Sequence, residues 1–162
     1  MFNQKIQVYF NLIFIISIFS LISAYFIEYI LGHQPCNLCL IERIPYWLGI
    51  ILVIINYIFK EHEKSIILSL LLIFIFSLII SIYHLGIEKN FFQESTLCGL
   101  KDAVEIISKE DILRQLNEKT ISCKDVTFKI FGFSLTTINI VISLFLTILL
   151  TKIFLDYEKF KK

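Results

Sequence analysis

Residues 65–87, SIILSLLLIFIFSLIISIYHLGI, form a run of 23 residues without a single Asp, Glu, Lys or Arg. Three further charge-free stretches lie at residues 6–27, 44–59 and 130–151, and the four together hold 83 of the 162 residues. A helix needs about 20 apolar residues to cross the core of a bilayer. The sequence therefore predicts a polytopic membrane protein, and it excludes a soluble fold, a nucleic-acid-binding protein and a disordered chain.

The overall composition agrees with this prediction. Hydrophobic residues make up 57% of the chain and charged residues 18%, with a mean hydropathy of +0.79, whereas soluble domains carry about 25% charged residues. The net charge of +1 implies no long-range electrostatic partner. We expect an all-α bundle of four transmembrane helices in a single membrane domain covering residues 1–162. The expected spans are about 8–31, 40–59, 65–86 and 133–154, with a long loop at 87–132.

The second span is the shortest between charges. Residues 44–59 cover about 24 Å at 1.5 Å per residue, which is less than a hydrocarbon core of about 30 Å. We therefore expect this helix to begin near Cys39, with Glu42 and Arg43 in its first turns and Pro45 inside it as a kink. In the alternative, Pro45 is the first helical residue, which leaves a helix too short to span.

The distribution of basic residues predicts the orientation. Four spans place both termini on one side together with the loop 60–64, and these 23 residues hold seven lysines; the other side holds Arg43 and seven Lys or Arg in the 45 residues 88–132. The basic density is about twice as high on the terminal side, so the positive-inside rule places both termini in the cytoplasm and all four cysteines outside. We expect Tyr46 and Trp47 in the interfacial aromatic belt.

The long loop contains one helical pattern. Apolar residues at positions 104, 106, 107, 112, 113 and 116 alternate with charged ones, so residues 102–116 are interpreted as an amphipathic helix. Such a helix lies either on the membrane surface or against the bundle, and periodicity alone leaves both alternatives open.

Cys36 and Cys39 form a Cys-x-x-Cys motif after Pro35. Disulfides belong to oxidising compartments such as the outer side of a membrane. A bridge closing so small a ring contributes little entropic stability, which favours a redox pair, and the N–H groups of a helix N-terminus stabilise a thiolate. Arg43, one turn after Cys39, is expected to stabilise the Cys39 thiolate or to polarise a carbonyl group of an electron acceptor. In the alternative interpretation, Arg43 is an interfacial residue whose side chain snorkels to the lipid headgroups.

Cys98 and Cys123 are separated by 24 residues of the long loop. Three interpretations apply to them: a redox relay to the membrane pair, a structural disulfide worth about 3–4 kcal/mol, or a zinc site made by all four thiols. The zinc site is the weakest, because zinc sites usually combine two close-spaced pairs and this chain has one, so we expect no metal. The spacing favours the relay but leaves the alternatives open.

A relay of this kind has defined chemistry. A partner's thiolate attacks the loop disulfide and gives a mixed disulfide; the second loop cysteine leaves and then attacks the membrane pair. The electrons that arrive on the membrane pair need an acceptor. Because the sequence contains no recognisable metal or flavin motif, a lipid-soluble quinone is the natural candidate.

These residues resemble the DsbB family of bacterial inner-membrane disulfide-bond-forming enzymes. Residues 35–43, PCNLCLIER, fit the family pattern P-C-x-L-C-x-x-E-R. Residues 83–88, YHLGIE, resemble a second family segment, and a third begins at Cys123 and ends with FGFSL at 131–135. Vitamin K epoxide reductases share the four-helix redox bundle, but their loop cysteines precede the Cys-x-x-Cys motif, so the order here favours DsbB.

The resemblance implies a role for each cysteine. Cys98 would form the mixed disulfide with a periplasmic thioredoxin-fold thiol oxidase similar to DsbA, and its loop partner Cys123 would link transiently to Cys36. Cys39 would face the quinone, either a ubiquinone or a menaquinone, and Arg43 would bind and activate it.

The resemblance also implies that His84 lies close to the quinone, near the outer end of the third span. The alternative is a polar residue that caps an interfacial helix end. Glu42 and Glu88 are interpreted as structural residues that pair with Arg43 or organise the outer helix ends. The implied enzyme is a quinone-dependent thiol oxidoreductase of the bacterial inner membrane, with periplasmic cysteines. A paralogue dedicated to one substrate, or a non-enzymatic membrane protein with structural disulfides, is the alternative.

Overall fold

The computed structural model describes residues 2–59, 62–93, 98, 123–124, 129–130 and 132–160. Its elements are α1 (Phe2–Tyr29), α2 (Asn37–Ile41), α3 (Ile44–Ile58), α4 (Glu63–Glu88), β1 (Lys129–Ile130), β2 (Phe133–Ser134) and α5 (Leu135–Phe160). Four segments are long and apolar enough to cross a membrane: Ile6–Tyr29, Asn37–Ile58, Glu63–Glu88 and Leu135–Tyr157. The prediction of a helical fold with four spans is therefore confirmed. The predicted amphipathic helix at 102–116 lies outside the described residues.

The helices close a bundle in the order α1, α3, α4, α5. The interface between α4 and α5 is the most extensive, α1 packs on α3, α3 packs on α4, and α1 also contacts α5. The shared core is apolar and includes Phe10, Ile13, Val53, Leu70, Phe74, Leu146 and Leu150. Many apolar side chains point outward and are half or more exposed, such as Phe19, Leu72, Ile79 and Ile148, as expected of helix faces that contact lipid tails.

Small polar residues bring α4 and α5 together. Ser77 and Ser143 are both fully buried, and their hydroxyl oxygens lie 3.1 Å apart. Within α4 the Ser81 hydroxyl donates a hydrogen bond of 2.9 Å to the Ser77 carbonyl oxygen, and across the contact its oxygen accepts one of 2.8 Å from Asn139 Nδ2 on α5. Small side chains let helix backbones approach closely, and hydrogen bonds across the contact have no competing water in a bilayer.

The second span consists of two helices joined by a turn. α2 begins at Asn37, earlier than the predicted start near Cys39, and ends at Ile41; α3 begins at Ile44 with Pro45 in its first turn. Proline is tolerated there because the first N–H groups of a helix have no intrahelical partner. The prediction that Pro45 kinks a continuous helix is wrong, since Pro45 instead begins a second one. Glu42, the residue after α2, keeps right-handed helical backbone angles and faces the bundle interior, where it is 7% exposed.

Tyr46 and Trp47 occupy different environments. Trp47 is 48% exposed on the outer face of α3. Tyr46 is 4% exposed, its ring lies edge-on to Phe74 with centroids 5.9 Å apart, and its hydroxyl donates a hydrogen bond to Asn139 Oδ1. The prediction that Tyr46 belongs to the interfacial belt is therefore wrong: burial and a hydrogen-bond partner make it part of the bundle interior.

A short hairpin positions the start of α5. β1 and β2 pair antiparallel, with Lys129 opposite Ser134, and Gly132 between them has φ +85°, a conformation that glycine adopts without strain. Ser134 Oγ accepts a hydrogen bond of 3.3 Å from the backbone N–H of Thr137, which satisfies one free donor at the start of the helix. The hairpin thus determines where α5 starts.

Replacing Ser77 with Leu should destabilise the bundle. The added volume has no room against Ser143, and overpacking of this kind costs about 1–3 kcal/mol, so the midpoint of thermal unfolding in detergent should fall by about 5 °C. The control is Ile79→Leu on the same helix, because Ile79 is 59% exposed and faces outward. Equal midpoints for the two variants would contradict the close α4–α5 contact.

Candidate active site

Two free thiols lie at the start of the second span. Cys36 is the residue before α2, and its Sγ accepts a hydrogen bond of 3.3 Å from the backbone N–H of Cys39. The two sulfur atoms are 2.8 Å apart, and neither residue is in a disulfide. Cys36 is buried and Cys39 is partly exposed. The helix start thus holds the two thiols close enough for a disulfide to form between them.

His84 from α4 lies next to this pair. Its Nε2 is 3.5 Å from Cys36 Sγ, and its Nδ1 is 3.0 Å from Glu42 Oε1. On the far side, the Glu42 Oε2 atom accepts a hydrogen bond of 3.0 Å from Asn139 Nδ2 on α5. The Thr136 hydroxyl, also on α5, is 3.3 Å from His84 Nδ1. Residues of the second span and of α5 therefore hold the imidazole against the Cys36 thiol.

Arg43 is turned away from these groups and toward α1. Its guanidinium forms an ion pair with Glu28 and lies 4.9 Å from the ring centroid of Tyr25, a distance at which cation–π attraction operates. The expected pairing of Glu42 or Glu88 with Arg43 is thus wrong: Glu42 contacts His84, and Glu88 accepts a hydrogen bond from Thr136. The other interpretation of these two carboxylates, as organisers of the outer helix ends, agrees with their contacts.

The two loop cysteines are joined to each other. Cys98 and Cys123 form a disulfide with their Cα atoms 5.7 Å apart, and each is 3% exposed. They belong to one buried cluster with Cys36, Leu38 and Ile87. The disulfide therefore packs on the same apolar surface as the membrane thiols.

A cavity of about 420 Å³ opens beside the thiols. Its wall includes polar side chains, among them Cys36, Cys39, Glu28, Glu42, Arg43 and His84. It also includes apolar side chains of α1 and α5, such as Leu21, Ala24, Ile138 and Ile142. Cys123 also borders it. Small-molecule sites have volumes of about 300–1,000 Å³ and combine apolar walls with a few polar groups. The cavity thus suits a molecule with a polar head and an apolar tail.

Cys36 has the properties of an activated thiol. The hydrogen bond from the Cys39 thiol, together with the hydrogen bond and positive charge of His84, lowers the pKa of Cys36 to about 5, although burial opposes this shift. Only a thiolate attacks a disulfide, so a lowered pKa keeps the nucleophilic form populated at neutral pH.

The sulfur atoms of Cys36 and Cys39 and a ring nitrogen of His84 lie within 4.8 Å of one another, and they are donor types that zinc binds. However, two thiolates on one tetrahedral zinc ion stand about 3.8 Å apart, from a Zn–S distance of about 2.3 Å. The observed separation of 2.8 Å is shorter. The geometry of the pair thus fits dithiol chemistry better than zinc ligation.

A family model for the disulfide bond formation protein DsbB matches residues 6–153. The chain belongs to the DsbB family. Membership of this family implies that the chain is a multi-pass membrane protein with a role in disulfide bond formation and, in general terms, with thiol oxidoreductase activity. The uncharacterized protein RP370 of Rickettsia prowazekii (strain Madrid E) is 34% identical over 155 residues, which cover 94% of this chain and 90% of that protein. No solved structure matches the chain.

Three polar residues of this DsbB site were not predicted from the sequence. They are Glu28 on α1, which pairs with Arg43, and Thr136 and Asn139 on α5, which contact His84 and Glu42. A signal existed for the two α5 residues, because polar side chains inside a transmembrane segment normally face the protein interior and serve a function. Glu28 carried the same signal at the end of the first span.

The lowered pKa of Cys36 predicts the pH dependence of its reactivity. In the reduced protein, the rate of alkylation of Cys36 by iodoacetamide, followed residue by residue by mass spectrometry, should be half-maximal near pH 5 and level at neutral pH. In Cys39→Ala the midpoint should move up by about one pH unit or more, because the hydrogen bond that stabilises the thiolate is lost. A midpoint near the usual thiol range in the unaltered protein would contradict this description of the site.

Proposed function

We propose that the chain reoxidises a periplasmic thioredoxin-fold thiol oxidase similar to DsbA and passes the two electrons to a membrane quinone. The observation that carries this proposal is the Cys36–Cys39 dithiol, which borders a cavity lined by both polar and apolar side chains. In the net reaction, partner dithiol and quinone give partner disulfide and quinol. Two electrons and two protons pass from the partner to the quinone.

The loop disulfide is the proposed entry point for electrons. Cys98 forms the mixed disulfide with the partner, and Cys123 leaves as a thiolate and attacks the membrane pair at Cys36. The supporting contact is the buried cluster that Cys98 and Cys123 share with Cys36, because thiol exchange requires sulfur atoms that can reach each other. The partner's second thiolate frees Cys98 from the mixed disulfide, and the Cys98 thiolate then attacks Cys123, which closes the loop disulfide and releases Cys36. The electrons then reside on Cys36 and Cys39.

The cavity is the proposed quinone site, and its residues fit such a molecule. Apolar side chains of α1 and α5 match an isoprenoid tail, whereas the guanidinium of Arg43 offers hydrogen-bond donors to a carbonyl oxygen. Cys39 and His84 form the wall beside this polar end. A bound quinone supplies the two-electron acceptor. Ubiquinone and menaquinone are the candidates.

Arg43 is proposed to bind and orient this acceptor. Its ion pair with Glu28 and its position over Tyr25 hold the side chain at the cavity wall, with both charged side chains less than one-fifth exposed. A preorganised cation stabilises negative charge that develops on an oxygen in a water-poor site.

We place the chain in the bacterial inner membrane, with both termini in the cytoplasm and the four cysteines on the periplasmic side. The distribution of lysines supports this orientation. A general partner and one dedicated partner are both compatible with the site, because the recognition surface of the long loop lies outside the described residues.

The variant Cys39→Ser should separate the two halves of the reaction. It should still form a mixed disulfide with a reduced DsbA-like partner through Cys98, but it should not reduce quinone, because Cys36 then has no partner with which to form a disulfide. The readout is loss of the absorbance band of oxidised quinone.

The matched variant Cys98→Ser should behave in the opposite way. It should fail to react with the partner, yet reduce quinone when dithiothreitol supplies electrons to the membrane pair. Normal quinone reduction by Cys39→Ser would refute the proposed function. If neither the variants nor the unaltered protein react with the partner or reduce quinone, the chain is better described as a membrane protein with structural disulfides.

Substituting Arg43 should weaken quinone binding. We expect Arg43→Ala to raise the apparent KM for quinone about tenfold or more, since a hydrogen bond to a charged group contributes about 1.5–3 kcal/mol, while both disulfides still form. The double variant Arg43→Ala/Glu28→Gln shows whether an unpaired Glu28 carboxylate causes the effect. Lys89→Ala, which removes an exposed cation after α4, is the control. An unchanged KM would contradict quinone binding by Arg43 and would favour the alternative, in which Arg43 contacts lipid headgroups.

A further inference from the structure

The hydrogen bonds around His84 assign its protons. Thr136 donates its single hydroxyl hydrogen to Glu88, so toward His84 Nδ1, 3.3 Å away, its oxygen can only accept. Glu42 Oε1, 3.0 Å from the same nitrogen, is also an acceptor. With two acceptors facing it, Nδ1 carries the hydrogen. The other nitrogen, Nε2, is therefore the one available to exchange a proton with Cys36, whose Sγ lies 3.5 Å away.

Glu42 is fixed at both of its oxygen atoms. Oε1 faces His84, and Oε2 accepts a hydrogen bond of 3.0 Å from Asn139 Nδ2. The orientation of the Asn139 amide is set in turn, because its Oδ1 accepts from the Tyr46 hydroxyl and its Nδ2 also donates to Ser81 Oγ at 2.8 Å. Both oxygens of Glu42 thus act as acceptors, which is the pattern of an ionised carboxylate.

The charge of Glu42 is directed at His84 and not at Arg43, which Glu28 already neutralises. Within the described residues, the titratable and charged groups around His84 and along the adjoining cavity wall are Cys36, Cys39, Glu42, Glu88, Glu28, His33, Arg43 and Tyr46. Of these groups, only Cys36 and Glu42 lie within hydrogen-bond distance of the imidazole.

We propose that Glu42 is a positioning residue that holds His84 so that Nε2 takes the proton of Cys36 and leaves the thiolate from which the Cys36–Cys39 disulfide forms. The Cys36 S–H bond breaks and an N–H bond forms at Nε2, which leaves the sulfur as a thiolate. The electron pair of this thiolate makes the bond to Cys39, whose own S–H bond breaks. The two electrons and the two protons, one held by His84 and one from Cys39, pass to the quinone. This inference rests on the proposed function only for the identity of the acceptor.

The arrangement resembles the nucleophile, base and orienting carboxylate of acyl-transfer enzymes in its logic: the carboxylate does not react but sets the tautomer and supports the imidazolium. Here the carboxylate is supplied by the turn between α2 and α3, the base by α4, and the residue that orients the carboxylate by α5. The proton is taken from Cys36, whereas Cys39 is the cysteine proposed to face the quinone.

The variant Glu42→Gln tests the proposal, because it keeps an acceptor oxygen for His84 but removes the charge. In reduced, full-length protein without quinone or partner, the pH midpoint of Cys36 alkylation should rise by about one unit. At pH 6 the thiolate fraction of Cys36 should then fall to about one half, so quinone reduction in a single turnover should slow about twofold at saturating quinone, with the KM for quinone unchanged. A residue that only supports the fold would not move the pH midpoint.

Two further variants complete the design. Glu88→Gln is the matched control, since Glu88 is a carboxylate on the same helix as His84 that binds Thr136 and not the imidazole; its midpoint should stay at the wild-type value. Glu42→Asp keeps the charge but is one methylene shorter, so it should also raise the midpoint. If Glu42→Gln does not fold, Glu42→Asp is used to test the proposal in its place.

An unchanged Cys36 midpoint in the Glu42 variants would overturn the positioning role, whatever the quinone activity. If the pH midpoint of Cys36 alkylation shifts but the protein never reduces quinone, the positioning of His84 by Glu42 stands and the proposal that quinone is the acceptor is refuted. The two failures are therefore distinguishable.

Discussion

The arrangement at the outer end of the bundle depends on a buried imidazole between a thiol and a carboxylate. His84 is 2% exposed, and in a membrane such a polar group is stable only when its hydrogen-bonding atoms have partners. Cys36 lies within hydrogen-bond distance of its Nε2 and Glu42 within hydrogen-bond distance of its Nδ1. Because these partners come from the second span and His84 from the third, the contacts determine the relative height and rotation of these two spans. Asn139 and Thr136 extend the constraint to α5.

The two charged residues at the break in the second span face different ways. Glu42 and Arg43 both keep right-handed helical backbone angles, and successive residues of a helix point about 100° apart, so the Glu42 carboxylate reaches His84 whereas Arg43 faces α1. The two adjacent charges therefore act on different groups. Glu42 acts on the imidazole beside Cys36, and Arg43, balanced by Glu28, forms part of the cavity wall that adjoins Cys39.

The sequence predicted the parts of the molecule that depend on local pattern. Charge-free stretches located the four spans, and the Cys-x-x-Cys motif after a proline indicated a thiol pair at a helix start. Contacts between helices were not predictable in this way, since hydropathy does not determine which face of one span meets which face of another. For that reason the burial of Tyr46, the pairing of Glu42 with His84 and the pairing of Arg43 with Glu28 emerged only from the structure.

The most direct test of the account is a partner-free single turnover. Fully reduced protein is mixed anaerobically with an excess of oxidised ubiquinone or menaquinone, and thiols are then trapped and identified by mass spectrometry while quinone absorbance is recorded. In protein whose loop cysteines are replaced, so that only the membrane pair can react, the account predicts one quinol per chain together with a Cys36–Cys39 disulfide. Quinone that stays oxidised while both thiols stay reduced would contradict it.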